Sequence, residues 1–373
     1  MKIPENEYSF DSFLSYLADH EMRVFGGGER KQWLKVYLVY AQTDWKELFK
    51  GFPQKKLGEL TKIAMQAKSV SKPVDFYVHE WSPGILVFFT SSRKKEYEKT
   101  LRKFIWSNRG ITEMWIPRTL FTEVRNFLLE KYSGIIYSFI SRRYRSSRVE
   151  ARTRPDVDRR LSYTGDDGTR VLKEVLEQYG VTPNSISFKI DNDKIQITNK
   201  GMLLFRSVNS NTLSILKELL RILTERQRKV REVSNTLRRE IKTIQLGKHE
   251  IRTSIVVPGI IQLQGRTLDR VIVEHFFRQE NQEFSQELDT QEDTESYEFS
   301  FIDTSIKEGS FSFTATVVDD LKGTMFGLSG SSDRMILVPM HRTTFESFIR
   351  FYKLVMENLD EEAKFDVIAP KTA

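Results

Sequence analysis

Residues 185–201, SISFKIDNDKIQITNKG, alternate apolar and polar side chains on both sides of Asp-Asn-Asp. Residues 212–246, TLSILKELLRILTERQRKVREVSNTLRREIKTIQL, instead return a leucine, valine or isoleucine at every seventh position. A period of two describes a half-buried strand, and a turn of Asp and Asn folds it back on itself as a hairpin. A period of seven keeps one seam of a long helix facing a partner. Runs of strand followed by a run of helix are the pattern of an α+β protein, which is the expected fold class.

The helical seam consists of Leu216, Leu223, Val230, Leu237 and Ile244, with Leu220 and Ile241 at companion positions and Gln227 and Ser234 at the remaining two. Two polar interruptions weaken a coiled-coil seam, so the helix is expected to pack against the protein's own domains. A homodimer through residues 213–244 is the alternative. MLLFRSV (202–208) supplies a third strand ahead of the helix. TRVLKEVLEQYG (169–180) reads as a helix closed by Gly180, with Pro183 just beyond as a stop signal.

Working towards the N-terminus, SFDSFLSYLADHEMRVF (9–25) places Phe10, Phe13, Leu14 and Leu17 on one helical face, with Asp11 as the expected N-cap. WLKVYLVYA (33–41), GILVFFTS (84–91) and MWIP (114–117) read as strands, and RKKEYEKTLRKFIW (93–106) and RTLFTEVRNFLLEKY (118–132) as helices. GGGER (26–30) follows a helix and precedes a strand, the reverse of the order in a phosphate-cradling loop, so it reads as a turn. From Ile251 onward IRTSIVV, GIIQLQG, DRVIVEHFF, YEFSFI, SFSFTATVV and RMILVP read as strands, closed by a helix. A short echo links MWIPRTLFTEVRNF to ILVPMHRTTFESFI, each a strand ending in proline before a phenylalanine-rich helix; the common use of Pro and Thr at helix starts explains it equally well.

The resulting organisation is multidomain: a mixed α/β layer over 1–140, a basic junction over 141–168, a central hairpin and long basic helix over 169–250, and a β-rich part over 251–373. Within the last part, residues 280–298 carry eight acidic and no basic side chains, the composition of a solvated loop.

Composition supports a folded chain. The 373 residues are 39% apolar and include 26 phenylalanines, enough to fill two or three cores. Cysteine is absent, which excludes disulfides, thiolate metal sites and a cysteine nucleophile, and fits the reducing cytoplasm. No stretch approaches the roughly 18 apolar residues of a membrane helix, and MKIPENEYSF lacks an apolar signal region, so no membrane association is expected.

Fifty-eight basic against 51 acidic side chains give a net charge of +7, and its distribution is what matters. Residues 141–160, SRRYRSSRVEARTRPDVDRR, contain eight arginines, three acids and no lysine. Arginine binds phosphate bidentately and stacks on bases, so an arginine-only strip points to nucleic acid. The expected contacts are Arg142, Arg143, Tyr144, Arg145, Arg148, Arg152, Arg154, Arg159 and Arg160, with Arg228, Lys229, Arg231, Arg238 and Arg239 of the long helix as a second cluster. Tyr163 offers a further stacking surface. DNA is favoured over RNA because no RNP-type aromatic motif is present.

Signs of an enzyme are sparse. The five histidines show no metal-ligand spacing, and no nucleophile-elbow, Walker or kinase signature occurs. Glu274 and His275, read on a strand, would face opposite sides and make a poor acid–base pair. Asp156, Asp158, Asp166 and Asp167 are the residues a metal-dependent nuclease would use. Pro155 and the turn-like TGDDG argue that these aspartates serve arginines and backbone instead. The sequence therefore leads to a noncatalytic nucleic-acid-binding subunit or regulator without cofactor or metal. An interaction scaffold built on the long helix and a metal-dependent nuclease are the alternatives.

Overall fold

The computed structural model describes residues 1, 3–26, 32–67, 72–142, 152–153, 160–246, 249–278 and 299–368. They form two compact units, Met1–Gln227 and Arg228–Ala373. Helices and antiparallel sheets occupy separate layers, so the chain is α+β and multidomain.

Unit 1 opens with α1 (Phe10–Asp19) and α2 (Glu21–Phe25), then β1 (Leu34–Ala41) and α3 (Trp45–Leu48). A meander of β2 (Gln54–Leu57), β3 (Leu60–Met65), β4 (Val74–Ser82) and β5 (Ile85–Thr90) follows. Next come α4 (Lys94–Tyr97), joined through one π turn to α5 (Lys103–Ser107), then β6 (Ile111–Glu113), α6 (Arg118–Lys131) and β7 (Ile135–Arg142). The unit continues through β8 (Arg160–Thr164), α7 (Gly168–Tyr179), β9 (Thr182–Ile190), β10 (Asp193–Thr198), β11 (Met202–Phe205) and most of α8 (Ser210–Thr236).

All these strands share one eleven-stranded sheet in the order β2-β3-β4-β5-β1-β11-β10-β9-β7-β8, with β6 also on β1. Because β1 pairs with β11 from Leu34 opposite Phe205 to Tyr37 opposite Met202, the segments 1–140 and 169–205 are one layer rather than two. Alternation along the central strands feeds both faces. Val39, Phe76, Leu86 and Phe88 face Trp45, Tyr97, Leu101 and Ile105 from α3 to α5. On the other face Phe13 of α1 meets Phe89 and Tyr77 at 5.3 and 5.8 Å between ring centroids.

Three local expectations change here. Ser9, not Asp11, caps α1: its side chain accepts the Ser12 N–H, and Asp11 sits in the first turn. The strand near residue 114 is Ile111–Glu113, one step earlier than MWIP. From Met114 the chain leaves β1, donating first to the Leu38 carbonyl and then from Ile116 to Asn199, before Pro117 starts α6. The long helix ends at Thr236, and RREIKTIQL becomes β12 (Arg238–Leu246), paired with β13 (His249–Val257). Past Leu237 the segment is rich in β-branched residues, Ile241, Thr243 and Ile244, which favour a strand, so the seven-residue step from Leu237 to Ile244 is a coincidence.

Unit 2 continues from this ribbon with β14 (Gly259–Gln262), α9 (Arg270–Phe277), β15 (Phe299–Lys307), β16 (Ser312–Asp319), β17 (Thr324–Gly330), β18 (Arg334–Pro339), α10 (Phe345–Asn358) and β19 (Lys364–Val367). Its sheet runs β15-β16-β17-β18-β14-β19. DRVIVEHFF is a helix rather than a strand. Asp269 caps it by accepting the Ile272 N–H at 2.8 Å, and Val273, Phe276 and Phe277 fall on one helical face and are buried. Phe276, Phe301, Phe326 and Phe351 form the aromatic centre of this core, with ring centroids 5.2–6.4 Å apart where they touch. Beneath α10, the buried Asp319 carboxylate is paired with Arg350.

Candidate nucleic-acid interface

The two ends of the arginine strip, Arg142 and Arg160, lie on the outermost strands of the larger sheet. β7 pairs with β9 on its inner side and with β8 on its outer side, and β8 is the terminal strand. The register runs from Ser138 opposite Thr164 to Arg142 opposite Arg160, so β7 and β8 are an antiparallel pair at the sheet edge, and residues 143–159 fall between them in sequence. Arg142 and Arg160 are both exposed and directly opposed across the two strands. Cross-strand partners share a face with Cβ atoms about 5 Å apart, and like charges so placed are mutually destabilising.

The base of the hairpin is fixed by local chemistry. Tyr163 stacks on Phe139 at 5.5 Å, and its hydroxyl donates to Asp167, which also pairs with Arg170 at 2.9 Å. The Tyr163 hydrogen bond, followed by Arg170, holds the Asp167 carboxyl below its ordinary value; the same bond raises the Tyr163 hydroxyl. Gly165 donates to the Tyr137 carbonyl at 2.8 Å, making TGDDG the expected turn. Gly168 then starts α7 so close to β7 that a Cβ would sit 2.3 Å from the Ile136 carbonyl oxygen. At the far end of α7, left-handed Gly180 turns the chain into β9, and the Gln178 carbonyl accepts the Thr153 N–H at 3.2 Å. That bond places Thr153 at a helix C-terminus, where positive charge is favoured.

Of the expected strip, Arg142, Arg152 and Arg160 lie among the described residues, and all three are exposed. Arg143, Tyr144, Arg145, Arg148, Arg154 and Arg159 lie outside them, as do Asp156, Asp158 and the acidic segment 280–298. Tyr163 is half-buried, with one ring face on Phe139 and its hydroxyl engaged. Asp167 is likewise committed to Tyr163 and Arg170. Among the described residues, no cluster of His, Asp and Glu has the arrangement of a metal site.

Of the second basic cluster, Arg228, Lys229, Arg238 and Arg239 are exposed and Arg231 is not. Arg231 is buried, with its guanidinium 3.9 Å from the centre of the Phe345 ring. Arg228 pairs with Glu232 at 3.0 Å and Lys229 with Asp366 at 2.8 Å, so acidic neighbours compensate this turn of α8. Arg238 and Arg239 are exposed on β12 rather than on a helix, and Arg238 pairs with Glu240 at 2.6 Å. Most of the helical seam is turned into the chain itself. Leu216, Leu220, Leu223, Gln227, Ser234 and Leu237 are all buried within the single chain. Gln227 even has a specific internal role: it accepts from the Tyr40 hydroxyl at 2.8 Å and donates to the Trp115 carbonyl at 3.1 Å. The polar interruptions of the heptad are thus internal hydrogen-bonding positions. Glu274 and His275 are neighbours on α9, where Glu274 is bonded to Arg270 at 2.6 Å.

These features define a class: an α+β protein of large antiparallel sheets that carries an arginine-rich hairpin on an open sheet edge. Residues 119–199, from α6 to the end of β10, match the AF_0896_M model, described as a family middle domain, and the hairpin lies inside the match. Over 284 residues the chain is 24% identical to an uncharacterized protein of Archaeoglobus fulgidus, which covers 74% of this chain and 73% of the relative. No solved structure matches. No helix among the described residues is long and apolar enough to cross a membrane.

Proposed function

We propose that this protein binds nucleic acid, duplex DNA in preference to RNA, through the arginine-rich hairpin of unit 1, as a noncatalytic subunit or regulator in the cytoplasm. The observation that carries the reading is the opposition of Arg142 and Arg160 across β7 and β8, the strands that bracket residues 143–159 in sequence. Two like charges held side by side on an edge hairpin destabilise it by about 0.2–1 kcal/mol, and a bound polyanion reverses the sign of that contribution. Residues 143–159 add six further arginines against Glu150, Asp156 and Asp158, and each guanidinium is a fork of N–H donors that matches phosphate oxygens. Such contacts position a protein on a duplex without reading its sequence.

The test is a fluorescence-anisotropy titration of the full chain with labelled duplex DNA, single-stranded DNA and RNA, with and without Mg²⁺. Tightest binding to duplex DNA, with the probe intact in Mg²⁺, is the expected result. Absence of binding to all three at low salt would remove the proposal, and Mg²⁺-dependent cleavage would replace it with a nuclease.

A further inference from the structure

The β12–β13 ribbon is hydrogen-bonded as a sheet of its own. It is a two-stranded sheet of nine residue pairs, from Arg238 opposite Val257 to Leu246 opposite His249. An isolated two-stranded ribbon is marginally stable in water, and each strand has one edge of unpaired backbone N–H and C=O groups. Large apolar side chains are nevertheless bare on it: Ile241 is 64% exposed, Ile251 48% and Ile255 44%.

The two edges differ. β12 carries Arg238, Arg239, Glu240 and Lys242 within its first five residues, charges of the kind that guard an edge against pairing. Residues 251–257 of β13, IRTSIVV, contain one charge and five β-branched side chains, the composition of a strand that pairs. A nucleic-acid groove would require cations along this edge, and Arg252 is the one cation there.

We propose that a second copy of this chain adds to the open edge of β13, antiparallel about Thr253, to form a four-stranded sheet β12-β13-β13-β12. An antiparallel pair of identical strands has a two-fold axis, and this axis position pairs the exposed isoleucines of β13; Ile241 lies on β12 opposite Ser254, on the other face, and takes no part. Ile251 then lies opposite Ile255 of the second copy, and Ile255 opposite its Ile251, covering the bare isoleucines on one face. Arg252 meets Ser254 and Glu250 meets Val256, so no like charges oppose each other. Seven residues at about 3.4 Å per residue make a contact roughly 24 Å long, too small for the standard interface of about 800 Å² per partner. The dimer is therefore weak and concentration-dependent.

The proposal does not rest on nucleic-acid binding, and its test fixes the register. Sedimentation equilibrium of the full chain compares wild type with two double variants at exposed positions. Ile251→Lys with Ile255→Lys sets like charges opposite each other twice and weakens the dimer about tenfold or more. Ile251→Glu with Ile255→Lys carries two charged substitutions as well, yet sets opposite charges against each other. It keeps the dimer within a few-fold of wild type at low salt and loses it as salt rises. A wild type that stays monomeric at every concentration overturns the inference, as do two double variants that behave alike. Folding is read separately from circular dichroism of each variant. If the substitutions instead lower duplex-DNA affinity in a protein that is monomeric throughout, the ribbon is a nucleic-acid contact and the dimer is refuted.

Discussion

Arg142→Glu separates a retained phosphate contact from an incidental basic surface, because stability and binding move in opposite directions. In the hairpin, residue 142 lies directly opposite Arg160, so the substitution turns a like-charge pair into an opposite-charge pair. Each arrangement is worth about 0.2–1 kcal/mol relative to a neutral pair, so the swing is about 1 kcal/mol in favour of the folded hairpin. For a unit of 227 residues this corresponds to a rise in melting temperature of about 2–4 °C at low salt, shrinking as salt screens the pair. Binding to duplex DNA should fall at the same time, since the variant loses one phosphate donor and places a carboxylate beside the backbone. The assays are thermal unfolding followed by circular dichroism and anisotropy with one labelled duplex. A variant that loses stability, or gains it while binding DNA as tightly as wild type, would refute the assignment of the arginine pair to phosphate.

Two further expectations concern the framework. Burial pushes the Lys35 ammonium from 10.5 down to about 8, although Glu96 opposes the shift and the amine donates to the Ser92 carbonyl at 2.6 Å. The folded state therefore holds fewer protons than the unfolded chain between pH 8 and 10.5, and stability from this group rises with pH across that window. Relative to Lys35→Met, wild type should gain about 2 kcal/mol between pH 8 and pH 10, measured by urea denaturation at each pH. A constant difference would show that the lysine is not desolvated. Asp269→Ala removes the cap of α9 and should cost unit 2 about 1 kcal/mol, measured by urea denaturation, whereas Asp269→Ser should recover most of it.

Much of the fold was legible wherever a periodic run was bounded by a cap or turn. The β9–β10 hairpin around Asp191, the closing Gly180 of α7 and the strands β1 and β5 follow from alternation and turn chemistry alone. Errors arose where two periods coincided. Leu237 and Ile244 continued a heptad past the helix end, and VIVEHFF looked like a strand although Asp269 and the Val273, Phe276, Phe277 spacing were sufficient to mark a helix. β17 went unread because Gly327 and Gly330 lower its apparent strand propensity, even though it is central in its sheet.

The site was partly legible for a similar reason. Arginine density is a property of local sequence, and it singled out 142–160 without any fold. The opposition of Arg142 and Arg160 depends on the pairing of β7 with β8, which no local pattern in the arginine-rich segment records. Burial of Arg231 against Phe345, 114 positions along the chain, is a tertiary fact that turns an apparent phosphate donor into a core residue. Likewise the polar positions Gln227 and Ser234 were read as defects of an intermolecular seam, but the Gln227 side chain has buried partners within unit 1.

The central claim is tested most directly by the salt dependence of duplex binding for wild type and for Arg142→Glu, Arg143→Glu and Arg145→Glu combined. Each phosphate contact contributes about −0.9 to the slope of log K against log salt. The account predicts a steep negative slope for wild type, made shallower by about 2–3 in the triple variant, with affinity lowered on every sequence. An unchanged slope and affinity in a triple variant that folds normally would contradict it.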